Sequence, residues 1–200
     1  MKIMALILFV LAMSAFESSA GVNIVSNGDF EIIVDGYYPP PWQFSHGFNG
    51  FVNEPSKVAS GGNCVFIGGI SGGDMWQDLN TVVGQTYELS FFERGDDPGQ
   101  TERLSLLNVW WGSQEVGSYA NDNKVSGWNH YDLNVIASST TTRIDFQQAS
   151  FSIGSYGYPG IDAVSVMAIP ELPTSRLFAV TLVMCLAVRF CDRRSRCSEI

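Results

Sequence analysis

Between Gly21 and Ile169, no stretch of convincing length repeats its apolar residues with the period of an α-helix. Short runs alternate apolar and polar side chains instead, as where Tyr87, Leu89 and Phe91 would share one face of a strand. Turn pairs such as Asn-Gly and Gly-Gly separate these runs. The pattern predicts an all-β chain, folded as an antiparallel β-sandwich.

Charge limits the partners of such a domain. Residues 21–171 hold five basic residues against seventeen acidic ones, a difference of −12. Residues 172–200 hold five arginines against two acidic residues, a difference of +3. An acidic body disfavours binding to nucleic acid or to an anionic membrane surface, so we expect no nucleic-acid partner.

Cys64 is the one cysteine of residues 21–171, so no disulfide within these residues supports the fold. We expect Cys64 to be buried as a small apolar residue.

The first twenty residues differ from the body. Lys2 precedes the unbroken apolar run Ile3–Met13, and the small residues Ser18, Ser19 and Ala20 follow. This order predicts a signal peptide over residues 1–20, and therefore an exported protein. The β-sandwich is expected to occupy residues 21–169.

The two stretches that open and close the body each carry a carboxylate among residues suited to a core. Asn23–Glu31 reads N-I-V-S-N-G-D-F-E, and Gly160–Met167 reads G-I-D-A-V-S-V-M and contains Asp162. Both alternate as half-buried strands do, so strands are predicted in both, with the turn pair Asn27-Gly28 separating two strand segments in Gly21–Val34. If they lie side by side, Glu31 and Asp162 can meet, and two carboxylates repel unless a proton or a cation lies between them. This predicts a structural calcium site.

These motifs, together with G-Q-T-Y-E-L-S-F at Gly84–Phe91, resemble the galactose-binding-like jelly rolls, which include the CenC-type carbohydrate-binding modules. Their order and spacing match across most of residues 22–168. The resemblance implies a jelly-roll fold and a carbohydrate ligand. It also implies that Ca²⁺ is held by the side chains of Glu31 and Asp162 and by the backbone carbonyl of Asp29.

Four aromatic residues are candidates for stacking on a sugar ring. Trp42 follows three prolines and either belongs to an exposed aromatic surface or packs over one end of the sandwich. Trp110 and Trp111 are adjacent, so on a strand one points into the core and the other outward. The outward tryptophan either stacks on a ligand or is covered by a loop. Tyr156, in a loop rich in Ser, Gly and Tyr, is a candidate rim contact.

Residues 170–200 change in character again. Pro170-Glu171-Leu172-Pro173 precedes the twelve-residue apolar run Leu177–Val188 and the cluster Arg193-Arg194-Ser195-Arg196. This order resembles the PEP-CTERM sorting signal of bacteria that secrete exopolysaccharide, although that family has Pro-Glu-Pro where this chain has Pro-Glu-Leu-Pro. The resemblance implies a membrane-anchored stage and processing by an exosortase. The alternative is a disordered or degenerate basic tail.

No arrangement of residues nominates a catalytic site. The sequence lacks G-x-S-x-G, a histidine pair at metal-ligand spacing, and a cysteine–histidine arrangement that spacing singles out. We therefore expect a non-enzymatic protein at the cell surface or in the extracellular matrix that binds a polysaccharide, with calcium serving stability. The alternative is a structural or adhesive surface protein without a specific glycan site. A glycosidase-like enzyme is a third, less favoured interpretation.

Overall fold

A computed structural model of the chain describes residues 21–34, 39–45, 48–52, 58–68, 72–95, 104–122, 127–148 and 157–170. Ala20–Ile169 forms one compact unit. The predicted signal peptide and the predicted sorting segment, Pro170 apart, lie outside the described residues. Within the described ranges, no helix has the length and apolar character needed to cross a membrane.

The described residues form ten strands, and every pair of neighbouring strands is antiparallel. They are β1 (Gln43–Phe44), β2 (Phe48–Val52), β3 (Cys64–Ile67), β4 (Gly73–Asn80), β5 (Thr86–Arg94), β6 (Leu104–Trp111), β7 (Gln114–Asp122), β8 (Asn129–Ile136), β9 (Thr141–Gln148) and β10 (Gly160–Ala168). Sheet 1 has the order β1-β4-β9-β6-β7, and sheet 2 has the order β2-β3-β10-β5-β8.

Alternate residues of the strands meet in one hydrophobic core. The pattern is clearest in β4 and β9, where every second side chain is buried and the residues between are exposed or half-buried. The largest fully buried apolar side chains come from both sheets and from the opening segment: Phe30, Phe91, Phe146, Met75, Leu89 and Ile144. The predicted all-β, antiparallel β-sandwich is confirmed.

The opening stretch Asn23–Glu31 turns at the predicted pair Asn27-Gly28 but does not form the predicted strand segments on either side of it. Asn23 forms one isolated bridge with Met167, and the chain then turns, with left-handed φ values of 52° at Asn27 and 56° at Phe30. The Asn27 side chain replaces a strand partner: its Nδ2 donates to the carbonyl of Ile32 at 2.8 Å, and its Oδ1 accepts from the Ile32 N–H at 2.9 Å. Such local side-chain bonds compete with a sheet ladder.

The position of this stretch is nevertheless the expected one. The Ile24 N–H donates to the carbonyl of Val166 at 2.9 Å, and the Val164 N–H donates to the carbonyl of Gly28 at 2.8 Å. The opening segment therefore lies beside β10, the last strand, as the prediction of neighbouring ends required.

The first residues of β9 are polar, although one of them faces the core. The polar residues 137–143 resemble a turn, yet β9 begins at Thr141. The Thr142 side chain is buried, and its Oγ1 lies 2.8 Å from Oγ1 of Thr81. A hydroxyl pair thus lets a polar residue occupy a position that faces the core.

Candidate functional site

The predicted carboxylates meet at one loop. Asp162 lies in β10 and is fully buried; its Oδ2 accepts from the N–H groups of Ala59 and Ser60 at 2.8 and 2.9 Å. Oε1 of Glu31 accepts from the N–H groups of Gly62 and Asn63 at 2.7 and 2.9 Å. The opening segment and the last strand thus hold the same five-residue loop by its peptide groups.

Two unusual backbone positions support this arrangement. Ala163, next to Asp162, has a left-handed φ of 49° at the irregularity where β10 changes register against β5. Gly61 has a φ of 60°, and a Cβ there would collide with the Glu31 carboxylate. Left-handed backbone in a residue other than glycine costs of order 1–3 kcal/mol and persists only where the surroundings enforce it.

Burial, the neighbouring carboxylate and backbone N–H groups together set the pKa of Asp162. Burial raises the pKa of Asp162 above its usual range, and the nearby charge of Glu31 raises it further. Backbone N–H groups from Ser60, Ala163 and Ala59 oppose that rise because they stabilise the carboxylate. A bound cation would relieve the repulsion that remains between the two negative groups.

The two remaining carboxylate oxygens also accept hydrogen bonds, Oδ1 of Asp162 from the Ala163 N–H at 2.6 Å and Oε2 of Glu31 from Asn63 Nδ2 at 3.1 Å, so a calcium ion would share these oxygens with N–H donors. Two carboxylates and backbone carbonyls are the hard oxygen ligands that Ca²⁺ prefers. Asp29 and Ala163, the residue that follows Asp162, line one depression. No group of three or more His, Cys, Asp or Glu side chains suited to a metal occurs in the described part of the chain, so carbonyls would have to complete the shell.

Trp42 occupies the core. Its side chain is 5% exposed and lies 5.5 Å from Phe30 and 6.2 Å from Phe146 between ring centroids. Its indole N–H donates to the carbonyl of Asn27 at 3.0 Å. The ring has no free face for a sugar, so the ligand-binding interpretation of Trp42 is replaced by the packing alternative.

Trp110 and Trp111 point to opposite sides of β6, as their adjacency predicts. Trp111 is 4% exposed, packs 5.9 Å from Tyr87, and donates its indole N–H to the carbonyl of Ile136 at 3.0 Å. It is a core residue, and its assignment as a ligand contact is wrong for that reason. Trp110 is half-buried on the outer face of sheet 1. Tyr156 lies outside the described residues.

The sequence did not single out Trp76, yet it lies in one row with Trp110. Trp76 of β4 pairs with Asp145 of β9, and Asp145 pairs with Trp110 of β6. The inward neighbours Met75 and Phe146 are fully buried, so all three residues of the row face outward. Since neighbouring strands are about 4.8 Å apart, the two tryptophan backbones are roughly 10 Å apart. We call Trp76, Asp145 and Trp110 the outer-face row.

Polar groups of the outer-face row lack partners. Asp145 Oδ2 accepts from the Gln147 side chain at 2.9 Å. Asp145 Oδ1 and the indole nitrogens of Trp76 and Trp110 are shielded from water without a hydrogen bond to any described residue. Burial raises the pKa of Asp145, and the charge of Asp74 adds to the rise. Uncompensated polar groups cost about 1–3 kcal/mol each, which distinguishes this row from an ordinary sheet surface.

An arginine borders the row. Arg143 lies over the Trp76 ring at 5.1 Å from the centroid, a cation–π distance. Its Nε and one terminal nitrogen donate to the two oxygens of Asp78 at 2.8 and 3.1 Å. The bond to Arg143 lowers the pKa of Asp78. The Asp78 carboxylate thus fixes the position of the Arg143 guanidinium, which in turn packs on the Trp76 indole.

A second buried carboxylate lies between the sheets, away from the row. Glu93 is fully buried, and its Oε2 accepts from Asn121 at 3.2 Å and from Asn129 at 3.5 Å. Its Oε1 and the hydroxyl of the fully buried Ser105 have no hydrogen-bond partner among the described residues. Burial raises the pKa of Glu93, and the two asparagines oppose the rise only in part. Its alternation with Leu89 and Phe91 in β5 could have indicated that Glu93 faces inward.

No protein-family model and no curated protein matches the chain. Among solved structures, the family 61 carbohydrate-binding module TmCBM61 in complex with β-1,4-galactotriose has a TM-score of 0.54 at 18% identity, covering 74% of this chain and 99% of the module.

Two further structures are similar. The xylan-binding CBM22-1 domain of Paenibacillus barcinonensis Xyn10C has a TM-score of 0.56 at 12% identity, covering 78% of this chain and all of the domain (100%). A cleaved adhesin domain of Lys-gingipain from Porphyromonas gingivalis has a TM-score of 0.52 at 14% identity, covering 70% of this chain and 95% of that domain. At such identities the similarity is one of fold, and the chain has the β-sandwich jelly roll of carbohydrate-binding modules.

Proposed function

We propose that residues 21–169 form a non-catalytic carbohydrate-binding domain whose glycan site is the outer face of sheet 1. The observation that carries the proposal is the outer-face row, in which Trp76 and Trp110 flank Asp145. Two indole rings on strands whose backbones are roughly 10 Å apart offer successive stacking surfaces along a chain of sugars. The carboxylate between them accepts hydrogen bonds from sugar hydroxyls.

Neighbouring side chains support a polar ligand. Asn108 of β6 pairs with Gln147 of β9 and with Ser118 of β7, so these residues form a second row beside the first. The Ser118 hydroxyl donates to Oδ1 of Asn108 at 2.9 Å. Neutral amides and hydroxyls held in fixed orientations are suited to hydrogen bonding with sugars. Further support comes from the shared fold with modules that bind β-1,4-galactotriose and xylan.

Calcium belongs to the proposal as a structural ion. The side chains of Glu31 and Asp162, with carbonyls such as that of Asp29, would hold it at the loop of residues 59–63. Bound there, the ion supplies positive charge between two carboxylates. It joins the opening segment to β10 and is remote in sequence from the outer-face row, so its role is in stability.

Export and sorting complete the proposal. The signal peptide predicted at residues 1–20 would direct the chain out of the cytoplasm. The Pro-Glu motif, apolar run and arginine cluster of residues 170–200 would hold it at the membrane until an exosortase processes it. The glycan partner is then an exopolysaccharide at the cell surface or in the extracellular matrix.

Affinity electrophoresis through gels that contain different soluble polysaccharides tests the glycan site. We expect retardation of the protein in at least one gel and its loss in Trp76→Ala and Trp110→Ala. Phe92→Ala is the matched control, because Phe92 stacks on His130 at 4.5 Å on the outer face of the other sheet. Melting curves establish that each variant is folded.

Other outcomes of the same experiment separate the alternatives. Uniform mobility of the native protein across a broad panel of polysaccharides would favour a structural or adhesive surface protein. Retardation that persists in both tryptophan variants would place the glycan elsewhere on the domain. Release of reducing sugar from a polysaccharide of the panel would indicate a glycosidase.

A further inference from the structure

The charge around the outer-face row is strongly one-sided. Among the described outward side chains of β4, β6, β7 and β9, four are acidic, namely Asp74, Asp78, Asp145 and Glu115, and one, Arg143, is basic. Arg143 is bound by Asp78 through two hydrogen bonds. Arg143 makes no hydrogen bond to Asp145 among the described residues, although its charge acts on that carboxyl at longer range and lowers its pKa. Negative charge on this face therefore exceeds positive charge.

The central carboxylate has the surroundings of an ammonium site. Asp145 lies between two indole rings, and Glu115 pairs with Trp110 at the far end of the row. Asp145 Oδ1 is shielded from water and has no hydrogen-bond partner among the described residues. A carboxylate flanked by indole rings combines ion pairing with cation–π attraction, which together recognise an amine.

The same arrangement opposes an anionic ligand. A uronate brought to the row would face three carboxylates, and repulsion at short range within a half-buried surface is only partly screened by salt. Neutral sugars avoid this repulsion but gain no ion pair. The order of preference that the charges predict is amine-bearing, then neutral, then anionic.

We propose that the outer-face row selects glycan segments that carry a free, protonated amino group, such as de-N-acetylated hexosamine units. This inference rests on the proposed glycan site and adds the chemical class of its ligand. The ammonium binds Asp145, and the rings of Trp76 and Trp110 stack on the sugars at either side. Acetylation of the amine removes the charge, so it should weaken binding on the order of tenfold.

Isothermal titration of the protein with paired oligosaccharides tests the inference. Glucosamine oligomers are compared with their N-acetylated forms of equal length and with galacturonate oligomers, at a pH where the amine is protonated. We expect the tightest binding for the free amine, with a preference that decreases as salt is added. Asp145→Asn should abolish the preference. Asp132→Asn, which removes one exposed carboxylate from the opposite sheet, should retain it.

Each result decides the question. A preference for the free amine that Asp145→Asn removes and Asp132→Asn retains supports the inference. Equal affinity for free and acetylated oligomers, lost in Trp76→Ala, overturns the charge selection but leaves the glycan site intact. A preference that survives Asp145→Asn overturns it as well. Binding to none of the oligomers, combined with uniform mobility in the polysaccharide gels, removes both the inference and the glycan site.

Discussion

Glu31 and Asp162 hold the same loop from its two ends: Asp162 accepts the N–H groups of Ala59 and Ser60, and Glu31 accepts those of Gly62 and Asn63. Two like charges therefore lie at one loop, residues 59–63, and this loop joins the opening segment to the last strand. This relationship makes the stability of the sandwich dependent on how the two charges are compensated.

Replacing either carboxylate should remove a dependence of stability on calcium. At calcium concentrations a hundredfold above the dissociation constant, binding to the native state contributes about 2.7 kcal/mol, or roughly 5–11 °C in melting temperature for a domain of this size. We expect Glu31→Gln and Asp162→Asn to melt at a lower temperature than the native protein in calcium, and to respond little to a chelator. Calorimetry measures both quantities. Asp132→Asn is the control for loss of one charge, and a native melt identical with and without chelator would refute the site.

The loop geometry gives a second prediction, at glycine. Gly61 and Gly84 both have left-handed φ values, 60° and 83°, so alanine is strained at either position. A Cβ at Gly84 meets nothing within 4 Å, whereas one at Gly61 collides with the Glu31 carboxylate. We expect Gly84→Ala to cost about 1 kcal/mol in unfolding free energy and Gly61→Ala to cost more. Urea unfolding compares them, and equal losses would contradict the contact.

Truncation of Trp110 and of Trp111 should have different effects, the first mainly on glycan binding and the second on stability. Truncating the buried Trp111 should cost about 3–5 kcal/mol of unfolding free energy, because it leaves a cavity and an unpaired carbonyl at Ile136. Truncating the half-buried Trp110 should cost only about 1–2 kcal/mol while abolishing retention in polysaccharide gels. Urea unfolding and affinity electrophoresis measure the two effects. If Trp110→Ala unfolds as readily as Trp111→Ala, the outward ring is structural.

Glu93 should make the protein less stable as the pH rises. Its pKa is raised in the folded state, so the stability that its protonated form contributes is fully present below the ordinary glutamate value of about 4.3 and is lost as the pH rises through the raised value. Glu93→Gln keeps the shape and removes the titration. The variant should therefore gain stability relative to the native protein between about pH 4.3 and neutral pH.

Unfolding by urea at several pH values measures that gain. Glu88→Gln is the matched control, since Glu88 lies on the outward side of the same strand. A difference in unfolding free energy between Glu93→Gln and the native protein that stays constant across this pH range would show that Glu93 does not titrate there.

Local sequence patterns predicted the bounds of several strands well, because the order of apolar and polar residues in a strand reflects which of its faces are buried. The bounds of β3 and β6 coincide with the short apolar run Cys64–Ile67 and with the strand-like run Leu104–Trp111. The opening stretch failed the same test, since its apolar residues are buried by turns at Asn27 and Phe30 and not by a sheet ladder. Alternation of apolar and polar residues indicates burial, but it does not distinguish a segment buried through turns from one buried in a sheet.

Only one part of the outer-face row, an outward-facing tryptophan in β6, could be predicted from the sequence. The adjacency of Trp110 and Trp111 required one outward ring, but which residues lie beside it depends on the pairing of β4, β9 and β6. Trp76 and Asp145 are ordinary outward positions of their own strands. Their association with Trp110 is set by sheet order, which connects segments that are distant along the chain.

The order of the strands also has a temporal consequence. Trp76 and Trp110 lie in strands that are separated in sheet 1 by β9, and β9 follows both of them along the chain. A growing or unfolded chain therefore holds two unconnected tryptophans until Thr141–Gln148 inserts between their strands and brings Asp145 with it. If the chain is exported in extended form, as proposed, it carries no assembled outer-face row during transit, and the row forms only on the side of the membrane where the sheet folds.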